Sequence, residues 1–332
     1  MPYPHVMRLR GPWEFEVLRS AAADSPGRSA PAGLSGRVRA PCDWSQSLGL
    51  GFRGAVRYRR RFNRPSGLDP HERVWLVVEG VDAFGAAMLN GRALGQAPGY
   101  ALPASFDVTE WLSPSNELFI DVELPDELPG GSAALRPGRE TLAGGLIGEV
   151  RLEVRAGAFI ERLAIWTTRE TDAAVLQARG QIGGNAASPL AVVVNGAERE
   201  LLYGEVRPGR TFELSGALEP LLASAELSLE IKLLAGGVAL WQTDRRLAMA
   251  EGPTPSTVET LRQILPEATY AEFDRAGRTI AQAVPVAWAD EVCPRLAHHR
   301  SIVAWAASAA ELAQAGDERL SRLAFGRPWV KA

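Results

Sequence analysis

The side chains with the most evident chemical potential in this sequence are aromatic and cationic. Trp44, with Asp43 beside it, stands at a strand–loop junction, and Trp111 follows the turn Phe106-Asp-Val-Thr109. A flat aromatic face suits the C–H surface of a sugar, and a few convergent polar groups fix the orientation of what it stacks on. Arg57, Arg59 and Arg61 recur at every second residue. That spacing puts all three on one face of a strand, with Tyr58, Arg60 and Phe62 on the other. Such a face could hold an anionic sugar, or it could be a solvated surface with cross-strand carboxylate partners. Trp44, Trp111, Asp43 and Arg59 are the sugar-contact candidates. Trp75 lies inside the apolar run Val74–Val78 and reads as core.

Other chemistries are less well supported. His298 and His299 could be metal ligands, but adjacent residues point apart in extended chain and no Cys/His/Asp cluster of ligand spacing accompanies them. They read as structural or surface histidines, and no metal is expected. No Gly-x-Ser-x-Gly elbow, P-loop or dinucleotide fingerprint occurs, so no cofactor is expected either. Gly144-Gly145 is the start of a strand. Cys42 and Cys293 are too few and too far apart for a disulfide framework. A net charge of −3 gives no basic footprint for nucleic acid. The start, Met1-Pro-Tyr-Pro-His-Val-Met-Arg8, lacks the apolar core of a secretion signal, and no run of about 18 apolar residues exists. The expectation is a cytoplasmic protein that does not meet a membrane.

The elements that must position these residues are mostly strands. The chain divides by pattern into residues 1–156, 157–251 and 252–332. In the first, Arg73–Glu79 is a buried strand, Asn90-Gly91 is a type I′ hairpin turn, and Asn116–Glu123 alternates Leu118, Ile120 and Val122 on one face. Ser20–Gly36 and Asp126–Gly145 read as loops. The second has candidate strands at Phe159–Thr168, Ala174–Ile182, Leu190–Asn195, Thr211–Leu214, Glu226–Leu234 and Val238–Leu247. Turn signals at Gly183-Gly184, Asn195-Gly196, Pro208-Gly209 and Gly236-Gly237 punctuate them. This spacing predicts an immunoglobulin-like sandwich without the Cys–Trp–Cys signature. After the Glu251–Pro255 linker the period becomes helical. Ser256 and Glu259 form a capping-box pattern, a helix follows Pro266, Thr279–Val286 and Ile302–Ala306 are strands, and Asp290–His298 and Ala309–Phe325 are helices.

The order of these segments resembles glycoside hydrolase family 2, which includes β-galactosidases, β-glucuronidases and β-mannosidases. The resemblance is carried by Arg39-Ala-Pro-Cys-Asp-Trp44, Tyr58-Arg-Arg-Arg-Phe62, Val74–Asp82, Leu89-Asn-Gly-Arg-Ala-Leu-Gly95, Phe106-Asp-Val-Thr109, Asn116–Val122 and Gly144–Leu152. Further on it is carried by Leu265–Gly277, His298-His-Arg-Ser-Ile-Val-Ala-Trp305 and Gly326-Arg-Pro328. It implies a mainly β chain: a galactose-binding-like jelly roll, an immunoglobulin-like sandwich, and a small α/β remnant of a (β/α)₈ barrel. In the family a Glu preceded by Asn stands five residues after the Trp. Counting from Trp305 gives Ala309-Ala310 at that pair, with Glu311 one residue further. Retaining glycosidases need a second carboxylate about 5–5.5 Å from the first. Glu140, in the loop Leu135–Leu142 that in active relatives lends residues to the site, is the other candidate carboxylate beside Glu311. About 80 residues follow Glu251, against about 250 for a closed barrel, so two or three barrel strands with an unpaired edge are expected. The implied function is carbohydrate binding or protein interaction without turnover, with a homodimer through the C-terminal segment. The alternatives are an active β-glycosidase, or an assembly subunit that binds no sugar.

Overall fold

The computed structural model describes residues 3–20, 30–99, 102–126, 143–170, 173–186, 189–218, 226–247, 258–262, 264–265 and 267–332. The stretch 127–142 with Glu140, the Glu251–Pro255 linker, Ser256 and Pro266 lie outside them, as does most of the Ser20–Gly36 loop. The fold is mainly β. No helix is long and apolar enough to cross a membrane among the described residues. Two compact units are found: His5–Val154 with Gln263–Leu265, and Arg155–Arg262 with Pro266–Ala332 and Met1–Pro4.

The first unit is a β-sandwich. Its strands are β1 (His5–Arg8), β2 (Trp13–Ser20), β3 (Ser35–Val38), β4 (Cys42–Asp43), β5 (Gly54–Asn63), β6 (Arg73–Val78), β7 (Phe84–Leu89), β8 (Arg92–Ala97), β9 (Ala104–Asp107), β10 (Ser115–Leu124), β11 (Gly145–Leu146) and β12 (Val150–Arg155), with the short helix α1 (Ser45–Leu48) after β4. One sheet runs β3-β2-β5-β10-β7-β8 and another β1-β12-β6-β9. The period-two pattern explains the layering. On β10, Asn116, Leu118, Ile120, Val122 and Leu124 are buried and the residues between them are not. On β5, Val56, Tyr58 and Phe62 are buried, while Arg57, Arg59 and Arg61 on the opposite face are partly or fully exposed. These residues join Trp13, Leu76, Leu146 and Leu152 in one core, where each fully buried Leu or Ile contributes about 1.5–3 kcal/mol. Trp75, which the sequence places in the core, is instead half-buried, because it points to the face opposite Val74 and Leu76.

The β7–β8 hairpin turns where expected, with Asn90 at φ 50° and Gly91 at φ 82°. Asn90 also ties the hairpin to its neighbours. Its Nδ2 donates to the Trp111 carbonyl and to Asn116 Oδ1, each at 2.9 Å, and its Oδ1 accepts from Glu117 N at 2.9 Å. Asn116 is 2% exposed. Its Oδ1 also accepts from Ser113 N at 2.8 Å, and its Nδ2 donates to the carbonyls of Ser113 at 2.7 Å and Phe62 at 3.4 Å.

In the second unit a sandwich pairs the sheet β13-β14-β17 with β16-β15-β18-β19. The strands are β13 (Ala158–Glu170), β14 (Ala173–Gly184), β15 (Leu190–Gly196), β16 (Arg199–Val206), β17 (Thr211–Leu218), β18 (Leu227–Ala235) and β19 (Val238–Leu247). Ile160, Leu176, Val192, Phe212 and Ile231 fill the space between. Strand β16 is absent from the sequence reading. The hairpin before it turns at Ala197 (φ 50°) and Glu198 (φ 61°) rather than at Asn195-Gly196, because Asn195 and Gly196 pair within the ladder.

The C-terminal segment is a parallel sheet of four strands, not two or three, in the sequential order β20 (Glu259–Leu261), β21 (Ile280–Ala283), β22 (Ile302–Ala307) and β23 (Trp329–Lys331). Helices α2 (Glu267–Ala276), α3 (Ala289–Leu296), α4 (Ala309–Ala315) and α5 (Asp317–Arg322) alternate with them. Two expectations fail locally. Glu259 is in a strand, not at a helix cap, since Glu259–Leu261 pairs with Ile280–Gln282. The helix predicted over Ala309–Phe325 breaks at Gly316, whose φ of 75° no right-handed helix can hold. The segment packs on the sandwich through Trp166 and Phe325, edge to face at 5.1 Å, and through the Arg162–Glu291 ion pair.

Candidate functional site

The four sugar-contact candidates do not converge. Trp44 is 1% exposed and packs edge-on against Phe52 at 5.2 Å, so both of its faces are spent in the core and it offers no stacking platform. Asp43 caps its own chain: its Oδ1 accepts from Ser45 N at 3.0 Å and from the Ser45 hydroxyl. Trp111 is half-buried against the core, and the Arg92 guanidinium lies over its ring at 4.7 Å. Arg59 alone lines a concavity, a cleft of about 310 Å³ bordered by Glu14, Glu16, Arg37, Arg57 and Phe119.

That cleft is a ladder of charges on the outer face of β5. Arg57 grips Asp121 with two bonds of 2.7 and 2.8 Å. Arg59 donates to Glu117 at 2.7 Å and to Glu14 at 3.1 Å, and Arg61 reaches Glu117 at 3.2 Å. The hydrogen bond from Arg59 holds the Glu117 carboxyl below its ordinary range. Cross-strand pairing places these partners, with Asp121 opposite Arg57 and Glu117 opposite Arg61. The solvated-face reading of the arginines thus has its carboxylates. Phe119, with Arg57 5.2 Å above its ring, supplies an aromatic edge that the sequence reading passes over because it sits on the exposed side of β10. A second overlooked group is Asp82, 0% exposed, whose main chain bridges to Gly145. It reads in sequence as the plain end of a strand.

In a parallel β/α sheet the catalytic groups of an enzyme stand beyond the carboxyl ends of the strands. Beyond β22 come Ser308, Ala309 and Ala310, all exposed, and then Glu311. Glu311 is the third residue of α4 and closes a capping box: its Oε2 accepts from the Ser308 N–H at 3.1 Å and hydroxyl at 2.6 Å, while its own N–H reaches Ser308 Oγ at 3.3 Å. Its Oε1 accepts from Val286 N at 3.4 Å. The Ser308 hydrogen bonds hold this carboxyl below its ordinary value of 4.5. A general acid for glycoside cleavage needs the opposite shift, upward, so that it keeps a proton near neutrality.

The two histidines behave differently from expectation. They follow α3 in a turn, with His299 N bonded to the Leu296 carbonyl at 3.1 Å, so the alternation of extended chain does not apply. Their rings lie 4.1 Å apart, 37° from parallel, and both are buried. Helix α2 brings carboxylates to them: His298 Nε2 stands 3.3 Å from Glu267 Oε1, and His299 Nδ1 stands 2.6 Å from Asp274 Oδ2. Asp274 Oδ1 also accepts from Ser301 N at 2.7 Å. Burial pushes His298 below its ordinary value. Desolvation works against ionisation of Asp274, but the bonds from His299 and Ser301 outweigh it and hold the carboxyl low. A ring nitrogen of each histidine and an oxygen of Glu267 lie within 4.8 Å of one another.

Residues 52–129 match the glycosyl hydrolase 2 galactose-binding domain-like family. No curated protein matches the chain in sequence. Among solved structures, an FMN-binding β-glucuronidase from Facaelibacterium prausnitzii L2-6 superposes with a TM-score of 0.74 at 14% identity, over 100% of this chain and 64% of its own. A β-glycosidase from Bacteroides vulgatus gives 0.72 at 16% identity over 99% of this chain and 54% of its own. A β-galacturonidase from Eisenbergiella tayi gives 0.75 at 13% identity over 99% of this chain and 71% of its own. The chain therefore spans less than two thirds of the first two. The jelly roll, the sandwich and the sequential parallel strands are thus an architecture shared with these structures, and residues 52–129 form a glycosyl hydrolase 2 galactose-binding-like domain.

Proposed function

We propose that this chain binds carbohydrate without hydrolysing it. The observation that carries the reading is the state of Glu311. The carboxylate nearest the end of β22 is engaged as a helix cap and kept ionised, while the two residues before it are alanines. A side chain that accepts three donors in the resting fold has no proton to give a leaving group. The cleft beside Arg59 supports the binding half of the proposal. Its arginines and the ring of Phe119 are the polar and aromatic surfaces that a sugar acid needs, and relatives in fold are named for glucuronide and galacturonide cleavage.

The test is release of 4-nitrophenol from β-galactoside, β-glucuronide, β-mannoside and β-glucoside substrates, with Glu311→Ala beside the wild type, followed by titration with free glucuronate and galacturonate. No turnover with saturable uronate binding is the expected result. Turnover that Glu311→Ala abolishes would establish the alternative, an active β-glycosidase. No turnover and no binding on any sugar would leave an assembly role. For that role β20 and β23 each pair on one side only among the described residues, and an unpaired strand edge invites a second copy. A dimeric mass by light scattering at micromolar concentration is the outcome that supports it, and a monomeric mass counts against it.

A further inference from the structure

We propose that Glu267, His298 and His299 form a site for one divalent transition-metal ion, with zinc the ion best suited to two imidazoles and a carboxylate, and with Asp274 as the outer partner that orients His299. The inference stands apart from the sugar-binding reading and concerns a different part of the fold.

Three observations carry it. First, the donors are already gathered, within 4.8 Å of one another. Atoms about 2.0–2.1 Å from a tetrahedral zinc stand about 3.3 Å apart. His298 Nε2 and Glu267 Oε1 have that separation, 3.3 Å, which is long for a good hydrogen bond. Second, the part-buried Asp274–His299 contact fixes a tautomer. A carboxylate only accepts, so Nδ1 carries the proton and Nε2 keeps a lone pair. His299 Nε2 is buried and has no hydrogen-bond partner among the described residues. An imidazole whose far nitrogen is held by a carboxylate is the usual arrangement at a bound metal. Third, there is a way in. The three residues and Asp274 line a cleft of about 480 Å³, in which four arginines are balanced by four carboxylates, so a cation meets no net repulsion.

The position suggests what such an ion would do. His298 and His299 lie on the turn that leads into β22, at the start of that strand, away from the carboxyl ends where this kind of sheet places chemistry. A metal there would clamp the N-terminal turn of α2 to the α3–β22 connection and stabilise the segment. Glu267 is exposed, so a fourth position remains open to water.

The test uses the full chain, dialysed against chelator and titrated with zinc chloride by calorimetry. Elemental analysis after gel filtration and cobalt(II) visible absorption accompany the titration. One zinc per chain is expected, with a rise in Tm that chelator reverses. Glu267→Gln and His299→Gln should abolish stoichiometric binding, and Asp274→Asn should weaken it by about 10–100-fold. A His5→Gln/His71→Gln double variant, which removes the other two histidines of the chain, should bind as the wild type does. If His299→Gln fails to fold by circular dichroism, the exposed Glu267→Gln decides. No saturable binding by zinc or cobalt overturns the proposal. So does binding that is unchanged in Glu267→Gln, or that disappears only when Cys42 is replaced by Ser.

Discussion

Replacing Glu311 by Ala separates a structural carboxylate from a catalytic one. In the structure Glu311 accepts from the Ser308 N–H at 3.1 Å, the Ser308 hydroxyl at 2.6 Å and Val286 N at 3.4 Å. It also carries negative charge into the first turn of a seven-residue helix. Loss of a cap costs about 0.5–2 kcal/mol, and the interaction of a charge with the helix dipole about 0.3–1 kcal/mol. The two overlap, and the site is close to solvent, so a loss of about 1 kcal/mol is expected, or a drop in Tm of about 2–4 °C for a unit of this size. Urea denaturation at pH 7 measures it. Ser308→Ala and the double variant complete the cycle. Because Ser308 and Glu311 serve each other, the second substitution should cost clearly less than the first. The pH dependence has a definite sign. The folded carboxyl lies below its ordinary value of 4.5. Its stabilising contribution is therefore present above that value and disappears as pH falls through the lower folded value. Wild type and Glu311→Ala should converge in acid. Equal stability of the two proteins at pH 7, or a difference that grows on acidification, would refute the capping account.

Three further outcomes follow from the same geometry. Trp44→Ala should destabilise the jelly roll by about 3–5 kcal/mol, seen as a lower urea midpoint, with Trp44→Phe milder. A merely local loss of glycan binding with full stability would show instead that the ring is a platform. Arg59→Ala should remove uronate binding in calorimetry while leaving the circular dichroism spectrum and the Tm of the chain nearly unchanged; retained binding would move the site elsewhere. Burial, aided by Asp43, pushes the Cys42 thiol up to about 11, and burial pushes Cys293 higher still. At pH 8 the native chain should therefore react slowly with a disulfide reagent and release two equivalents only in guanidinium, whereas one fast thiol in native buffer would contradict the packing around Cys42.

The strands were legible because their side chains alternate. Leu118, Ile120 and Val122 on β10 announce one buried face, and Asn90-Gly91 announces the hairpin. What the sequence hid was long-range. Strand β16 reads Arg199-Glu-Leu-Leu-Tyr-Gly-Glu-Val, and only its pairing with β15 makes it a strand. Glu259 satisfies a local capping rule that the parallel ladder overrides. Trp44 looks like an exposed aromatic because a turn follows it, yet Phe52 closes over it. The histidine cluster was hidden because its carboxylates lie 25 and 31 residues back in the chain, on α2, and because adjacency implies divergence only in extended chain.

Strand β7 raises a problem that the Asn90–Asn116 contact resolves. Its middle, Gly85-Ala-Ala87, is small and nearly featureless. That middle stretch offers little side-chain bulk to resist sliding by two residues along β10. The charged ladder gives no help here, because it ties β10 to β5, its neighbour on the other side. Sliding would, however, strip the buried Asn116 Oδ1 of its bond from Asn90 and the exposed Asn90 of its bond from the Glu117 N–H, two hydrogen bonds worth about 0.5–1.5 kcal/mol each. Asn90 just past β7 and Asn116 on β10 thus act as an alignment pin, and misaligned pairing of β7 is disfavoured by polar groups rather than by the small side chains in its middle.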